Sequence, residues 1–398
     1  MKRGFLNSTK SKARMGAVSD AIQAKPGALP AKPNTLPAKP AIVPASFGLG
    51  FDLNNTETVV LPQNAGPDEQ VTVCYVWRGS KEIIVQKPGF PTPVCNVPNP
   101  PFRIGSTSGK GQGLFATRRI AQGEPILAER PFLIAIRAPL GSMLPEMERR
   151  MEDVLKRMRP ADRDAFMALH NGHTHDGSGE IIGRVRTNAL SLSGLVPEHL
   201  TSTVMGLYCC VARNISLLNN DCSPNTASNW RDESLSYHVF AAREIQEGEE
   251  LTLCYADPFD RAAQRQATFK PYGFVCRCAA CLDPTASDRR RAAIRGINIM
   301  ELFSQWVMDK TLPGDWIVDK CLERLKLIEQ EGLQCEDDYQ ATLMMLIHAC
   351  ICRGDAKKAS EWVARILRCA WKMEQELEPL LDAGSSAYKN HSLWRKRL

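Results

Sequence analysis

Three cysteines, Cys276, Cys278 and Cys281, lie within six residues of one another. Thiolates this close can bind one metal ion, and structural Zn²⁺ sites use four tetrahedral ligands, usually thiolates and imidazoles. The fourth ligand must come from elsewhere, and Cys222, in a turn-rich Asn-Asn-Asp-Cys-Ser-Pro-Asn segment, is the best candidate. The competing cysteines lie in an apolar stretch or on a predicted helix, where we expect buried small hydrophobic residues: Cys209, Cys210, Cys350 and Cys352. The pattern predicts a structural zinc site that joins two distant parts of the chain.

The composition limits the class of protein. The chain has 398 residues, 43% hydrophobic and 24% charged, which excludes collagen, a small disulfide scaffold and disorder throughout, and its length predicts about two or three domains. The longest strongly apolar run, residues 342–351, is much shorter than the ~20 residues of a membrane helix. We expect no secretory signal and therefore a reducing compartment, where the 14 cysteines favour metal over disulfides.

The basic charge is concentrated in residues 1–50, which hold eight Lys or Arg and one acidic residue. Because the net charge of the chain is +6, the remaining residues are close to neutral. A dedicated nucleic-acid-binding fold usually carries its basic patch on the folded part, so this class is disfavoured. An Ala-Lys-Pro triplet recurs every seven residues within 24–44, which favours an extended, disordered and solvated tail. Such a tail could also contact nucleic acid or a partner protein.

Short β elements dominate the middle of the chain. Residues 70–87 predict a β-hairpin that turns at Arg78-Gly79-Ser80, and a proline-rich linker follows to residue 100. Residues 115–124 are similar to residues 240–249, and each copy predicts a strand, a glycine turn and a second strand. We expect the two copies to lie in one β-rich domain.

Helical spacing of apolar residues appears in two regions. Residues 144–170 predict a helical insert between the two β copies, with Met147 and Met151 as core residues. The cluster His170, His173 and His175 follows in a Gly- and Asp-containing stretch, which we interpret as a loop and not a second metal site. After Pro284 the predicted helices form an antiparallel array similar to tetratricopeptide pairs: residues 288–309, 315–331, 337–352 and 355–377.

Four segments carry a family resemblance. They are residues 109–115 (Gly-Lys-Gly-Gln-Gly-Leu-Phe), 216–225 (Ser-Leu-Leu-Asn-Asn-Asp-Cys-Ser-Pro-Asn), 248–255 (Gly-Glu-Glu-Leu-Thr-Leu-Cys-Tyr) and 272–281 (Tyr-Gly-Phe-Val-Cys-Arg-Cys-Ala-Ala-Cys). Together they resemble the SET-domain protein-lysine methyltransferases, and the Cys-x-Cys-x-x-Cys ending is most similar to the SET-and-MYND branch. The insert shows no MYND-like zinc finger pattern, as in fungal-type members.

The resemblance implies an α+β architecture with a β-rich SET fold. The implied parts are a disordered tail over 1–50, a hairpin and linker over 51–100, a SET domain over 101–256 with a helical insert at about 140–205, a post-SET zinc segment over 257–284, and a helical C-terminal domain over 285–398.

The resemblance also implies an activity, the S-adenosylmethionine-dependent methylation of lysine side chains in proteins. Tyr255 would point its hydroxyl into the methyl-transfer channel. The residues implied to bind the cofactor are Lys110, Gly111, Gln112, Asn188, Ser216, Asn219, Asn220, Tyr255, Tyr272 and Phe274. The implied zinc ligands are Cys222, Cys276, Cys278 and Cys281.

The expected chemistry is an in-line displacement from a sulfonium to a neutral amine, for which the enzyme aligns the reactants and excludes water. A lysine with an ordinary pKa near 10.4 must lose its proton in an apolar channel. A tyrosine oxygen can stabilise the partial positive charge on the methyl group, and aromatic faces attract a sulfonium or an alkylammonium.

Two alternatives remain at this point. The family has His and Ser where this chain has Asn220 and Asp221, which supports a catalytically weak scaffold that acts through its helical C-terminal domain. The retained Tyr255, Asn219 and cysteine set favour the enzyme. A zinc-stabilised nucleic-acid binder is disfavoured by the near-neutral fold. The expected partner is a protein that presents a lysine, histone or non-histone, with no membrane, in the nucleus or the cytoplasm.

Overall fold

A computed structural model describes residues 52–67, 69–107, 109–137, 141–196, 206–369 and 374–398. The basic tail and its repeat lie outside the described residues. The described chain forms two compact units, one that ends at Arg289 and one that begins at Arg290. All strands that the structure describes lie in the first unit, and the second is helical, so the α+β prediction is confirmed.

The strands of the first unit form three sheets. They are β1 Thr56–Leu61, β2 Thr72–Trp77, β3 Phe102–Thr107, β4 Gly111–Ala116, β5 Pro125–Glu129, β6 Leu133–Ile136, β7 Leu190–Leu192, β8 Tyr208–Val211, β9 Asn219–Asn220, β10 Thr226–Arg231, β11 Ser236–Ala241 and β12 Glu250–Leu253. Their orders are β1-β2-β6-β8-β7, β10-β11-β5 and β3-β4-β12-β9. The apolar faces of these sheets share one buried core, which includes Leu114, Val239 and Leu251.

The two similar β copies pair crosswise. Strand β4 of the first copy pairs with β12 of the second, and β5 pairs with β11, both antiparallel. The hydrogen bonds repeat accordingly, since the Gly248 N–H donates to the Ala116 carbonyl and the Gly123 N–H donates to the Ala241 carbonyl, each at 2.8 Å. The two copies therefore lie in one domain, as expected, and each completes the sheet of the other.

One parallel pairing determines where the candidate site forms. Strand β9 pairs with β12, with Asn219 opposite Thr252 and Asn220 opposite Leu253. The Asp221 N–H continues this pairing by donating to the Leu253 carbonyl at 2.9 Å. The Asn-Asn-Asp-Cys segment is thus held beside the end of β12, where Tyr255 follows.

The hairpin predicted at 70–87 is correct for its first strand and wrong for its second. Strand β2 forms as expected, but the returning segment is a short helix, α1 (Ser80–Val85), which follows Gly79 at a left-handed φ of 90°. Strand β2 instead pairs with the preceding strand β1 and with the later strand β6. Ile84 is fully buried and Val85 is exposed, so the apolar run at 83–85 serves one buried helix position.

The helical insert forms within the described residues as α2 (Leu144–Leu155) and α3 (Pro160–Met167), followed by α4 (Glu180–Asn188). Met147 and Met151 are buried in the core, as predicted. After the last strand come α5 (Ala262–Phe269), α6 (Ala279–Leu282) and α7 (Pro284–Gly296), the last of which crosses into the second unit.

The helices of the second unit agree with the sequence pattern except at two places. They are α8 Ile299–Met308, α9 Trp316–Gln330, α10 Asp337–Cys352, α11 Ala356–Ile366, α12 Glu374–Leu377 and α13 Ser386–Asn390. The single helix predicted over 288–309 is wrong, because Asn298 interrupts it and caps α8 by accepting a hydrogen bond from the Glu301 N–H. The helix predicted to run to residue 377 ends at Ile366. Within the described ranges, no helix combines the length and apolar character needed to cross a membrane.

Candidate functional site

The four cysteines implied as zinc ligands meet at one point. The Sγ atoms of Cys222, Cys276, Cys278 and Cys281 all lie within 4.8 Å of one another. Cys222 Sγ is 3.9 Å from Cys276 Sγ and 3.6 Å from Cys281 Sγ. Thiolates around a tetrahedral Zn²⁺, each at ~2.3 Å from the ion, lie about 3.8 Å apart, so the cluster fits zinc. Among the described residues it is the only group of three or more Cys, His, Asp or Glu side chains close enough to hold a metal ion.

Local hydrogen bonds present the cysteine trio. The Gln266 side chain on α5 donates to the Cys276 carbonyl at 2.8 Å and accepts from the Cys276 N–H at 3.1 Å. Cys278 stands at the N-cap of α6, and the Cys281 N–H donates to its carbonyl at 2.9 Å. The short helix therefore brings Cys281 back toward Cys278.

A buried arginine faces this cluster. Arg265 is fully buried, and its Nη2 lies 3.8 Å from Cys281 Sγ and its Nη1 3.6 Å from Asp288. Hydrogen bonding from Cys222 and the nearby guanidinium lower the pKa of Cys281. Zn²⁺ with four thiolates carries a net charge of about −2, which a buried cation stabilises.

The competing cysteines lie elsewhere. Cys209 and Cys210 are buried in β8, and Cys350 and Cys352 are buried in α10. Burial raises the pKa of Cys209 to about 12 and that of Cys350 to about 11. These side chains are neutral thiols at physiological pH and behave as the small hydrophobic residues that the sequence predicted.

Tyr255 lies in the core next to the cysteine cluster. Its hydroxyl donates to the Leu218 carbonyl at 2.6 Å, and its backbone N–H donates to Asn220 Oδ1 at 2.8 Å. Burial raises the pKa of the Tyr255 phenol well above its usual value. The side chain is therefore neutral, and its position is fixed at both ends by the segment that precedes Cys222.

Two further aromatic rings surround Tyr255. The ring centroids of Tyr272 and Phe274 lie 5.8 Å and 6.3 Å from that of Tyr255. Phe274 stacks on the buried Phe269 of α5 at 5.2 Å, and burial raises the pKa of Tyr272 to about 12. The structure thus brings together the three aromatic residues that the resemblance implied to bind the cofactor.

Asn219 and Asn220 point to different neighbours. Asn219 Nδ2 donates to Glu250 Oε1 at 2.8 Å and to the Gln112 carbonyl at 3.1 Å. Asn220 is buried, and its Nδ2 lies 3.4 Å from Cys276 Sγ while its Oδ1 accepts from the Tyr255 N–H. Asn220 therefore links the cysteine cluster to the tyrosine.

The glycine-containing loop lies beside Asn219. Lys110 Nζ pairs with Glu250 Oε2 at 3.2 Å, and Gly111 has a left-handed φ of 77°. Gln112 contributes its backbone carbonyl to Asn219. The structure thus brings Lys110, Gly111 and Gln112 close to Asn219.

Asn188 and Ser216 lie at a more enclosed position. The two hydrogens of the Asn188 amide are used within the protein, since Nδ2 donates to the carbonyls of His170 at 2.7 Å and Arg184 at 2.8 Å. Ser216 Oγ donates to the Asn188 carbonyl and accepts from the Ala212 N–H, both at 3.0 Å. These contacts join the end of α4 to the segment before β9, and the role of both residues toward a cofactor stays a prediction.

Comparison with known proteins adds to this geometry. A family model described as "SET domain" matches residues 111–256. The chain carries a SET domain. The match includes both β copies, the insert, the Asn-Asn-Asp-Cys segment and Tyr255, and it ends before the cysteine trio.

The SET domain is accompanied by similarity to named enzymes. "Histone-lysine N-methyltransferase set5" of Schizosaccharomyces pombe is 26% identical over 266 residues, 65% of this chain and 74% of that protein. "Histone-lysine N-methyltransferase SET5" of Meyerozyma guilliermondii is 34% identical over 26% of this chain and 22% of that protein. "Protein-lysine N-trimethyltransferase SMYD5" of Homo sapiens is 34% identical over 17% of each chain.

These similarities confirm the resemblance to SET-domain protein-lysine methyltransferases. They favour a methyltransferase that uses S-adenosylmethionine over the catalytically weak scaffold, and the cysteine cluster is consistent with the predicted zinc. The chain spans about three quarters of the S. pombe protein and less than a quarter of the other two.

The histidine cluster of the SET domain's insert belongs to a loop, as expected. His173 is buried, and its Nδ1 lies 2.7 Å from Asp176, which also pairs with Arg186. The His173 ring contacts that of Tyr272 at 5.8 Å. This loop therefore packs against the aromatic site.

Several residues that shape the SET domain site were not predicted from the sequence. Glu250 contacts Lys110 and Asn219, and Arg265 faces the cysteine cluster. Buried Glu129 accepts the N–H groups of Asn214 and Ile215 and so holds the turn before β9. Glu250 lies inside a quoted motif, which was the only available signal, because no motif or spacing in the sequence marks Glu129 or Arg265.

Proposed function

We propose that this SET domain transfers the methyl group of S-adenosylmethionine to the Nζ atom of a lysine in a protein substrate. The observation that carries the proposal is the position of Tyr255. Its backbone N–H is bound to Asn220, which also contacts Cys276, and its ring lies against Tyr272 and Phe274. One buried tyrosine thus joins the predicted cofactor segment, the aromatic rings and the cysteine cluster.

The residues proposed to hold the cofactor are Lys110, Gly111, Gln112, Asn188, Ser216, Asn219, Asn220, Tyr255, Tyr272 and Phe274. S-adenosylmethionine supplies, when bound, an electrophilic methyl group on a sulfonium. The Lys110 cation and the Asn219 amide suit the amino-acid end of that molecule, because one binds a carboxylate and the other can accept from an ammonium. The aromatic rings suit its cationic sulfur.

Tyr255 acts through its oxygen. The hydroxyl hydrogen points to the Leu218 carbonyl, so the oxygen lone pairs are directed elsewhere. A neutral, preorganised oxygen stabilises the partial positive charge that develops on a methyl group in transfer. The buried ring of Tyr255 and the partly buried ring of Phe274 exclude water and so disfavour a charged ammonium. The incoming lysine therefore enters as the neutral, nucleophilic amine.

The proposed zinc is structural. Cys222, Cys276, Cys278 and Cys281 provide four thiolates, which close a tetrahedral site and leave no position for a substrate. Cys276 follows Phe274 by two residues, so a metal at this cluster fixes the aromatic segment against the segment before β10. The implied boundaries, with the SET domain at 101–256 and the post-SET segment at 257–284, are kept as part of the proposal.

Histones are the proposed substrate class, with action in the nucleus, because several relatives are named for histone lysines. One relative is named for protein lysines in general, so non-histone proteins are the second class to test. The helical unit from Arg290 is the proposed contact for a partner protein.

The test uses tritiated S-adenosylmethionine with purified core histones, and separately with a lysate. We expect label on lysine in the presence of the wild-type chain, and a loss of roughly a hundredfold or more in Tyr255→Phe. Tyr237→Phe is the matched control, because the buried Tyr237 hydroxyl also donates to a backbone carbonyl, that of Ser191 at 2.9 Å. Equal rates in the two variants, or no labelled lysine with the wild-type chain, would contradict the proposal.

A further inference from the structure

Glu250 connects three side chains beside the glycine-containing loop. Its Oε1 accepts from Asn219 Nδ2 at 2.8 Å and from Thr107 Oγ1 at 3.1 Å. Its Oε2 pairs with Lys110 Nζ at 3.2 Å, and the Glu250 side chain is only 17% exposed. Two of its three partners are residues proposed to hold the cofactor.

The Glu250 carboxylate determines how the Asn219 amide is oriented. Asn219 Nδ2 faces two oxygen acceptors, Glu250 Oε1 and the Gln112 carbonyl. A flipped amide would place Oδ1 against both oxygens, which is repulsive, so the orientation follows from the partners. Asn219 Oδ1 is therefore turned away from Glu250 and is available as an acceptor, which suits a donor such as an ammonium group.

Gly113 explains how these groups come so close. A Cβ atom at residue 113 would lie 2.8 Å from Glu250 Oε1, 2.9 Å from Asn219 Nδ2 and 3.0 Å from Thr107 Oγ1. Only glycine fits there without displacing the contacts. The last glycine of the Lys-Gly-x-Gly pattern thus makes room for Glu250 and Asn219.

We propose that Glu250 is a positioning residue for the amino-acid end of the cofactor. It holds the Lys110 cation and presents the Asn219 Oδ1 acceptor, so that the pair suits a carboxylate and an ammonium on one ligand. This inference rests on the proposed function, because it assumes that the ligand is S-adenosylmethionine. It adds a residue that contacts the cofactor only through other side chains.

The test compares two ligands by calorimetry on the full chain. S-adenosylhomocysteine keeps the amino-acid end, whereas 5′-methylthioadenosine lacks it. Glu250→Gln places an amide nitrogen where a carboxylate oxygen stood, so it removes the ion pair with Lys110 and permits the Asn219 amide to flip. We expect about tenfold weaker binding of S-adenosylhomocysteine and unchanged binding of 5′-methylthioadenosine.

Glu249→Gln is the matched control. Glu249 is the neighbouring carboxylate and directly precedes β12. Its partners are different ones, namely Arg243, Asn225 and the Gln246 N–H. We expect the control variant to bind both ligands like the wild-type chain. A loss in Glu250→Gln that is the same for both ligands means a general structural role and overturns the inference.

A second measurement tests whether Glu250 acts through Asn219. In an Asn219→Ala background, Glu250→Gln should weaken S-adenosylmethionine binding less than it does in the wild-type background, and fully additive losses overturn the inference. If the wild-type chain and the Glu250→Gln variant bind S-adenosylmethionine equally well, this inference is overturned and the proposed function is not. Failure of the wild-type chain to bind S-adenosylmethionine overturns the proposed function together with it.

Discussion

The Asn220 side chain accepts a hydrogen bond from the backbone N–H of Tyr255 at 2.8 Å. On its other side, Asn220 Nδ2 lies 3.4 Å from Cys276 Sγ. Asn220 stands where the family that this chain resembles has a histidine, and it directly connects the tyrosine to the cysteine cluster. The departure changes the residue type but leaves a side chain that donates and accepts at the same time.

Asn220→Ala should lower the free energy of unfolding by about 1–3 kcal/mol, because it leaves the buried Tyr255 N–H without its acceptor. Methyl transfer should fall as well, since the tyrosine loses one of its two fixed contacts. Denaturant unfolding and the histone assay measure the two effects. The control is Asn229→Ala, because Asn229 is equally buried but its Oδ1 has no hydrogen-bond partner in the described structure. Equal losses in the two variants would count against this role of Asn220.

Arg265→Met should weaken zinc retention. The substitution removes a buried positive charge beside Cys281 Sγ and leaves the cluster's negative charge uncompensated. We expect zinc to be lost at about tenfold lower chelator concentration, as measured by competition with a coloured chelator. Arg265→Lys keeps the positive charge, so its chelator midpoint should lie between those of Arg265→Met and the wild type. Identical chelator midpoints for all three proteins would show that the charge does not matter.

Metal removal should loosen one segment selectively. Chelation would take away the proposed zinc between Cys222 and residues 276–281, so amide hydrogen exchange should accelerate there and in the neighbouring α5. The helical unit after Arg290 contains none of these ligands and should exchange as before. Cys278→Ser should reproduce the effect without chelator, whereas Cys95→Ser, at an exposed thiol, should not. A uniform acceleration over the whole chain would argue against a local structural metal.

The stability of the helical unit should depend on pH through His348. Burial, and then the nearby His391, lower the pKa of His348 to about 4 from its ordinary value of 6.5. Because the unfolded chain binds the proton more tightly, the stabilisation is complete above about pH 6.5 and is lost as the pH falls toward 4. Unfolding midpoints measured between pH 7 and pH 4.5 should fall less steeply in His348→Gln. Parallel curves for variant and wild type would contradict this assignment.

The sequence predicted the spatial neighbours of residues that are close together in sequence or that belong to a repeated pattern. The cysteine trio predicts its metal because the spacing alone brings three sulfur atoms together, and the repeated β copies predict one shared domain. Cys222 could be matched to the trio because its turn-rich surroundings distinguished it from the cysteines in apolar stretches.

Other features depend on partners that no spacing reveals. Glu250 forms an ion pair with Lys110, which lies 140 positions earlier in the sequence. Arg265 contacts the cysteine sulfur atoms because α5 packs beside α6, and the sequence does not show this packing. The wrong prediction of a strand at 83–85 has the same cause, since β2 pairs with β1 upstream and with β6 further downstream. The contacts of Asn188 likewise could not be predicted from spacing, since its amide hydrogens bind the backbone carbonyls of His170 and Arg184.

The crosswise pairing of the two β copies affects how the chain folds while it is being translated. Strand β4 pairs with β12, which lies more than 130 residues downstream, and β5 pairs with β11, which also lies far downstream. A nascent chain that has left the ribosome only as far as the insert therefore has unpaired strand edges, which are prone to aggregation. The unit that ends at Arg289 cannot complete these two sheets before translation has passed β12, so we expect slow folding dominated by contacts between distant residues.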